Sequence, residues 1–186
     1  IMSTGRIQDA PGPNDSQNAG EDLNVSGNSQ IEQLLGGDVD SKDAAVIKFD
    51  FICESDQVQF NYVFASEEYP EFVGTQFNDA FAFFIQGPGI SGVQNIALIP
   101  GTSQPVAINN VNAGSFASYF VNNNNGSTVQ FDGFTKPFTA QANVIPCQTY
   151  TITLVITDIS DGIYDSAVFL ESASFSSPEV TIEQKI

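Results

Sequence analysis

Apolar and polar residues alternate with a period of two along several stretches of the chain. In Val46-Ile47-Lys48-Phe49-Asp50-Phe51, the residues Ile47, Phe49 and Phe51 share one face, while Lys48 and Asp50 face water. Val58, Phe60, Tyr62 and Phe64 repeat the pattern, as do Tyr150, Ile152, Leu154 and Ile156, with Thr151, Thr153 and Thr157 on the outer side. Such alternation predicts antiparallel strands with one wet face. Ala80-Phe81-Ala82-Phe83-Phe84-Ile85 and Ala167-Val168-Phe169-Leu170 are apolar on both faces and predict central strands. Shorter strands are predicted at 95–99, 105–111 and 128–131. Gly87-Pro88-Gly89, Pro100-Gly101, Asn125-Gly126 and Asp161-Gly162 punctuate them as turns, and the Asn122–Gly126 run reads as a tight turn that tolerates positive φ. One short helix is predicted from Ser29 to Leu35. Ser29 is its cap, Glu32 stands three residues on, and Gly36-Gly37 ends it. Residues 1–30, rich in Gly, Asn, Asp, Ser and Pro, otherwise have loop chemistry. Many short strands and no long helix predict an all-β fold: an antiparallel β-sandwich, jelly-roll or lectin-like, with long loops and one short helix.

A single such domain over residues 1–177 fits a chain of 186 residues. Residues 178–186 read as a linker or the start of a following module, so the chain is expected to be a piece of a longer protein. No apolar run approaches the roughly 20 residues of a membrane span, and direct membrane insertion is not expected.

Composition changes the picture mainly through charge. The chain has 22 Asp and Glu against 5 Lys and Arg, a net charge of −17, and no His. Nucleic acid is excluded as a partner, because phosphate binding needs clustered bases. Without His, the usual catalytic triads and His-based zinc sites are excluded as well. Hydrophobic residues make up 41% of the chain, enough for a packed core, so the acidity is not that of a disordered tail. Carboxylates without basic partners either spread over a solvated surface or bind cations.

The acids cluster at strand ends. Ser66-Glu67-Glu68-Tyr69-Pro70-Glu71, followed by Asn78-Asp79, leaves one strand and enters the next. Asp158, Asp161 and Asp165 fall in one loop between two core strands. Hard cations need six to eight oxygen ligands, which loops of this kind supply together with backbone carbonyls. The spacing is not that of an EF-hand, and two polar loops capping a sandwich remain the alternative. Single acids such as Asp79, just before an apolar strand, can instead accept backbone N–H bonds. Glu67 and Glu68, adjacent in an extended segment, point to opposite faces and cannot flank one glycosidic bond. The two cysteines, Cys53 and Cys147, lack metal or redox spacing and fit either one disulfide or two buried thiols.

The blocks Phe60–Val73, Phe77–Ile85, Asn95–Thr102, Pro105–Asn112, Phe131–Thr135, Pro146–Tyr150 and Asp165–Glu171 resemble, in order, those of the choice-of-anchor L domain of bacterial surface proteins. The resemblance implies an exported, non-catalytic module of a large adhesin at the bacterial cell surface, of the kind sent out by type IX secretion and used in adhesion or gliding. The sequence is also similar to the calcium-dependent peptide-binding domains of RTX adhesins, which implies bound Ca2+ and a protein, peptide or glycan partner beside the neighbouring modules of the same chain. On the matching blocks and the acidic loops, the expected metal ligands are Glu67, Glu68, Asp79, Asp158, Asp161 and Asp165. The expected ligand contacts are Ser66, Tyr69, Glu71, Asn78 and Ser166. Many members of that family carry Cys soon after the Phe-Val of the first block, where this sequence has Gly74, so Cys147 would lack that partner and Cys53 is the only other candidate. A structural spacer in a surface filament and, further off, a carbohydrate-active enzyme are the competing functions.

Overall fold

The computed structural model describes residues 1–16 and 19–176. Its strands are β1 (Met2–Ser3), β2 (Ser41–Ile52), β3 (Gln57–Ser66), β4 (Ala80–Gln86), β5 (Gln94–Asn95), β6 (Val106–Ala107), β7 (Phe120–Asn122), β8 (Gly133–Thr135), β9 (Phe138–Asn143), β10 (Thr149–Ile159) and β11 (Ser166–Leu170), with one α-helix, α1 (Ser29–Leu34). They form two antiparallel sheets. One has the order β1-β11-β3-β8-β7, with β9 also on β3, and the other has the order β2-β10-β4-β5, with β6 also on β4. The expected antiparallel sandwich is therefore present. The expected linker at 178–186 lies outside the described residues.

The core between the sheets comes from the alternating faces. Phe60, Tyr62 and Phe64 of β3 meet Phe81, Phe83 and Ile85 of β4 and Tyr150, Ile152, Leu154 and Ile156 of β10, all buried. Tyr62 and Phe81 lie 5.3 Å apart, and Phe81 sits edge-on to Phe83 at 4.4 Å, an arrangement that suits ring quadrupoles. As predicted, β4 and β11 are interior strands, each paired on both sides.

Three local expectations are corrected. Thr157 is buried rather than outward, because α1 lies over the outer face of its sheet. Ile31 of α1 packs there with Ala80, Ala82, Phe84, Val155 and Ile159. Ile47 is exposed, because β2 is an edge strand, whereas Ala45, Phe49 and Phe51 of the same face pack on the core. The cap of α1 is Asn28, not Ser29: its Oδ1 accepts the Gln30 N–H at 2.9 Å, while Glu32 accepts from Ser41 Oγ at 2.8 Å. Asn125 adopts φ of +61°, in keeping with the predicted turn. On the outer face of the first sheet, Ala10, Val129 and Phe131 pack with Ala65, Phe134, Ala167 and Phe169, so the N-terminal segment is packed structure rather than loose loop.

Candidate functional site

Strand direction brings the two acidic loops to one pole. β3 and β10 end there, and β4 and β11 begin there. Ser66 is in register with Ser166, and Glu67 N–H donates to the Asp165 carbonyl at 3.1 Å. Asp79 stitches the loops together: its Oδ1 accepts the Ile159 N–H at 2.9 Å, and its Oδ2 accepts the Ser166 hydroxyl at 2.7 Å. Glu67, Glu68, Asp79, Asp158 and Asp165 are all buried here, whereas Asp161 is half-buried.

What distinguishes this pole is how little satisfies the buried charges. Both carboxylate oxygens of Glu67, Oε2 of Glu68 and both oxygens of Asp158 are buried without a hydrogen-bond partner. Thr4 and Asp79 flank Asp158 without closing a bond of normal geometry to it. Glu67 and Glu68 diverge, although they lie in the turn after β3 rather than in the extended segment the sequence predicts. Glu67 faces Asp132, Asp165 and Glu71, and Glu68 faces Asp79 and Asp161. Burial, reinforced by these like charges, pushes the Glu67 and Glu68 carboxyls up to about 9, and Asp165 up to about 7. Asp79 and Asp158 are also raised, by burial first, and each carboxyl acts on the other.

No base among the described residues pairs with them. Among the described residues the ion pairs are Arg6 with Glu21 and Lys42 with Asp40, the latter at 2.7 Å. Arg6 lines a crevice beside Glu67 and Asp165, but its guanidinium is taken by Glu21. Buried carboxylates without bases are the chemistry of a hard-cation site or of protonated acids. No three acidic side chains among the described residues converge as a preformed ligand set, so a cation held here would draw on hydroxyl and backbone oxygens as well.

The expected ligand contacts occupy different environments. Ser66, Tyr69 and Ser166 are buried and face inward. The Ser66 hydroxyl accepts the Glu68 N–H at 2.9 Å, and the Ser166 hydroxyl is spent on Asp79. Tyr69 donates to the Val111 carbonyl at 2.6 Å and packs on Phe120 at 4.8 Å, which makes it core rather than a stacking platform. Asn78 uses its carbonyl on the Asn109 N–H at 2.8 Å. Glu71 is exposed and lines a polar basin of about 270 Å³ with Asn14, Asp15, Asn122, Asn124 and Asp132.

Other residues belong to this pole and were not singled out from the sequence. Asp43 is buried in the left-handed region, at φ of +45°, and accepts the Leu23 and Val25 N–H groups at 2.9 and 2.7 Å. Asp165 accepts the Glu21 N–H at 3.2 Å. A Cβ on Gly5 would fall 1.5 Å from Asp165 Oδ2, so only glycine lets the N-terminal segment pass so close to this carboxylate. Asp132 accepts from the Asn14 amide at 2.8 Å. For Gly5, Asn14 and Glu21 the sequence signal is the Gly, Asn and Asp content of residues 1–30, which by itself indicates only turn chemistry.

Fold and pole together define a two-layer β-sandwich module with an acidic end, where the nearby Arg6 and Lys42 pair with Glu21 and Asp40 rather than with the buried carboxylates. The family model of the choice-of-anchor L domain matches residues 1–176, and the chain belongs to that family. No curated protein and no solved structure matches it. The family is one of surface-associated modules of bacterial proteins, not known as enzymes, so the chain is a module of the cell surface or exterior. No helix among the described residues is long and apolar enough to cross a membrane.

Proposed function

We propose that the chain is a calcium-dependent ligand-binding module of a large bacterial adhesin. The observation that carries this reading is the set of buried carboxylate oxygens on Glu67, Glu68 and Asp158 that have neither a hydrogen-bond donor nor a base. Calcium would supply the positive charge the chain lacks. One ion would draw on Glu68, Asp79, Asp158 and Asp161 on one side of the β3 exit and another on Glu67 and Asp165 on the other, each shell completed by hydroxyl and backbone oxygens. Each ion would cancel two charges and tie the acidic loops together. The exposed Glu71 and the polar basin around it then offer the ligand surface, suited to a peptide terminus or to glycan hydroxyls. In this reading the module works in adhesion or gliding on a chain exported by type IX secretion, and it grips its partner as the calcium-dependent peptide-binding domains of RTX adhesins do.

A second reading, a spacer in which calcium only stiffens the pole, is favoured by one observation. Ser66, Tyr69 and Ser166 point inward, which leaves fewer groups for a ligand. A peptide-and-glycan array probed in calcium and again in EGTA separates the two. A binder gives spots that vanish with EGTA; a blank array in calcium leaves the spacer.

A further inference from the structure

The pole opposite the carboxylates holds both cysteines. Cys53 follows β2 on the crossover to β3, where the chain passes from one sheet to the other. Cys147 precedes β10 on the return crossover from β9. The two crossovers touch: Val144 N–H donates to the Asp56 carbonyl at 2.8 Å, and Cys147 N–H donates to the Cys53 carbonyl at 2.7 Å. With standard bond lengths, that last contact keeps the two Cα atoms within about 6.5 Å of one another. Natural disulfides span roughly 4.4–6.8 Å between Cα atoms, so backbone placement permits a bridge. The structure carries both residues as thiols, Cys53 buried and Cys147 exposed. The Cys53 thiol lies 3.3 Å from the Gln57 carbonyl in its own turn.

We propose that Cys53 and Cys147 form a disulfide in the exported protein, closing the pole opposite the acidic one. The co-reactant is a disulfide oxidant of the extracytoplasmic space. The exposed Cys147 thiolate attacks one sulfur of that disulfide and expels the other as a thiolate, forming a mixed disulfide. Cys53 then loses its proton, and its thiolate attacks the Cys147 sulfur and expels the second thiolate. Two protein thiols have lost two protons and two electrons, and the oxidant disulfide has become two thiols. The bond pins together the two crossovers that join the sheets. It also encloses β3 to β9 in one covalent loop, which restricts the unfolded chain most. The inference is independent of calcium, because the cysteines and the carboxylates lie at opposite ends of the same strands.

The test uses the whole chain equilibrated with reduced and oxidised glutathione, then alkylated, digested and mapped without reduction. The expected result is an intramolecular peptide pair joining Cys53 to Cys147, with the intact protein lighter by two hydrogens. Adding dithiothreitol should lower its midpoint of thermal unfolding by on the order of 10 °C. The Cys53→Ala/Cys147→Ala variant, where it folds, should melt at the same temperature with or without reductant. Both cysteines alkylated under oxidising glutathione, a stable glutathione adduct on Cys147, or dimers linked through Cys147 would each overturn the proposal. The peptide map decides this whether or not the variant folds.

Discussion

In the metal-free protein, stability should fall as pH rises, the reverse of what unpaired surface carboxylates would give. Glu67 and Glu68 titrate at about 4.5 in the unfolded chain and at about 9 in the fold. The native state therefore binds more protons than the unfolded one. The stability these groups contribute is complete below pH 4.5 and is lost progressively as pH climbs towards 9. At pH 7 the linkage for each glutamate is about 3 kcal/mol against the fold, or roughly half that once screening by nearby water and polar atoms is allowed for. Asp165, raised to about 7, adds a similar amount. The total of roughly 5 kcal/mol is as large as the whole net stability of many domains. Thermal unfolding followed by circular dichroism from pH 5 to pH 8 should show the midpoint in EGTA dropping by roughly 10–20 °C across that range. In calcium the sign reverses, because protons compete with the ion, and the midpoint should hold or rise with pH. A midpoint in EGTA that rises with pH would refute the burial argument, and coincident curves in the two buffers would remove the cation from it.

Single substitutions probe the same pole. Glu68→Gln keeps the shape and removes the charge, so it should weaken calcium binding tenfold or more in a dye-competition titration while raising the midpoint in EGTA at pH 8. Asp43→Ala strands the Leu23 and Val25 N–H groups, and chemical denaturation should report a loss of about 2–4 kcal/mol. Tyr69→Phe removes one buried bond to the Val111 carbonyl and should cost about 1 kcal/mol in the same assay, with calcium affinity unchanged, as befits a core residue.

The sandwich was legible because its central strands carry their pattern locally. The faces of Val58 to Phe64 and Tyr150 to Ile156, and the two-sided apolarity of Ala80 to Ile85, all hold in the structure. Thr157 was misread because nothing in its own strand announces that α1 lies on it. Ile47 was misread because an edge position is a property of the sheet, not of the segment. The acidic loops were legible as strand ends, and antiparallel register does bring Ser66 beside Ser166. Their consequences were not. The hydroxyls of Ser66, Ser166 and Tyr69 close turns and core contacts that exist only once the strands pair. The parts played by Gly5 and Glu21 depend on the N-terminal segment wrapping back over Asp165, more than a hundred positions away, for which a single sequence holds no local signal.

The account rests on the buried, base-free carboxylates being a cation site. Calorimetric titration of calcium into chelator-stripped protein at pH 7.5 measures this directly. Saturable binding with release of protons is predicted, because Glu67 and Glu68 are held protonated in the empty fold and must ionise to take the ion. An absence of binding heat in buffers of both high and low ionisation enthalpy, with no proton release, would mean that these carboxyls are simply neutral acids in a protein core.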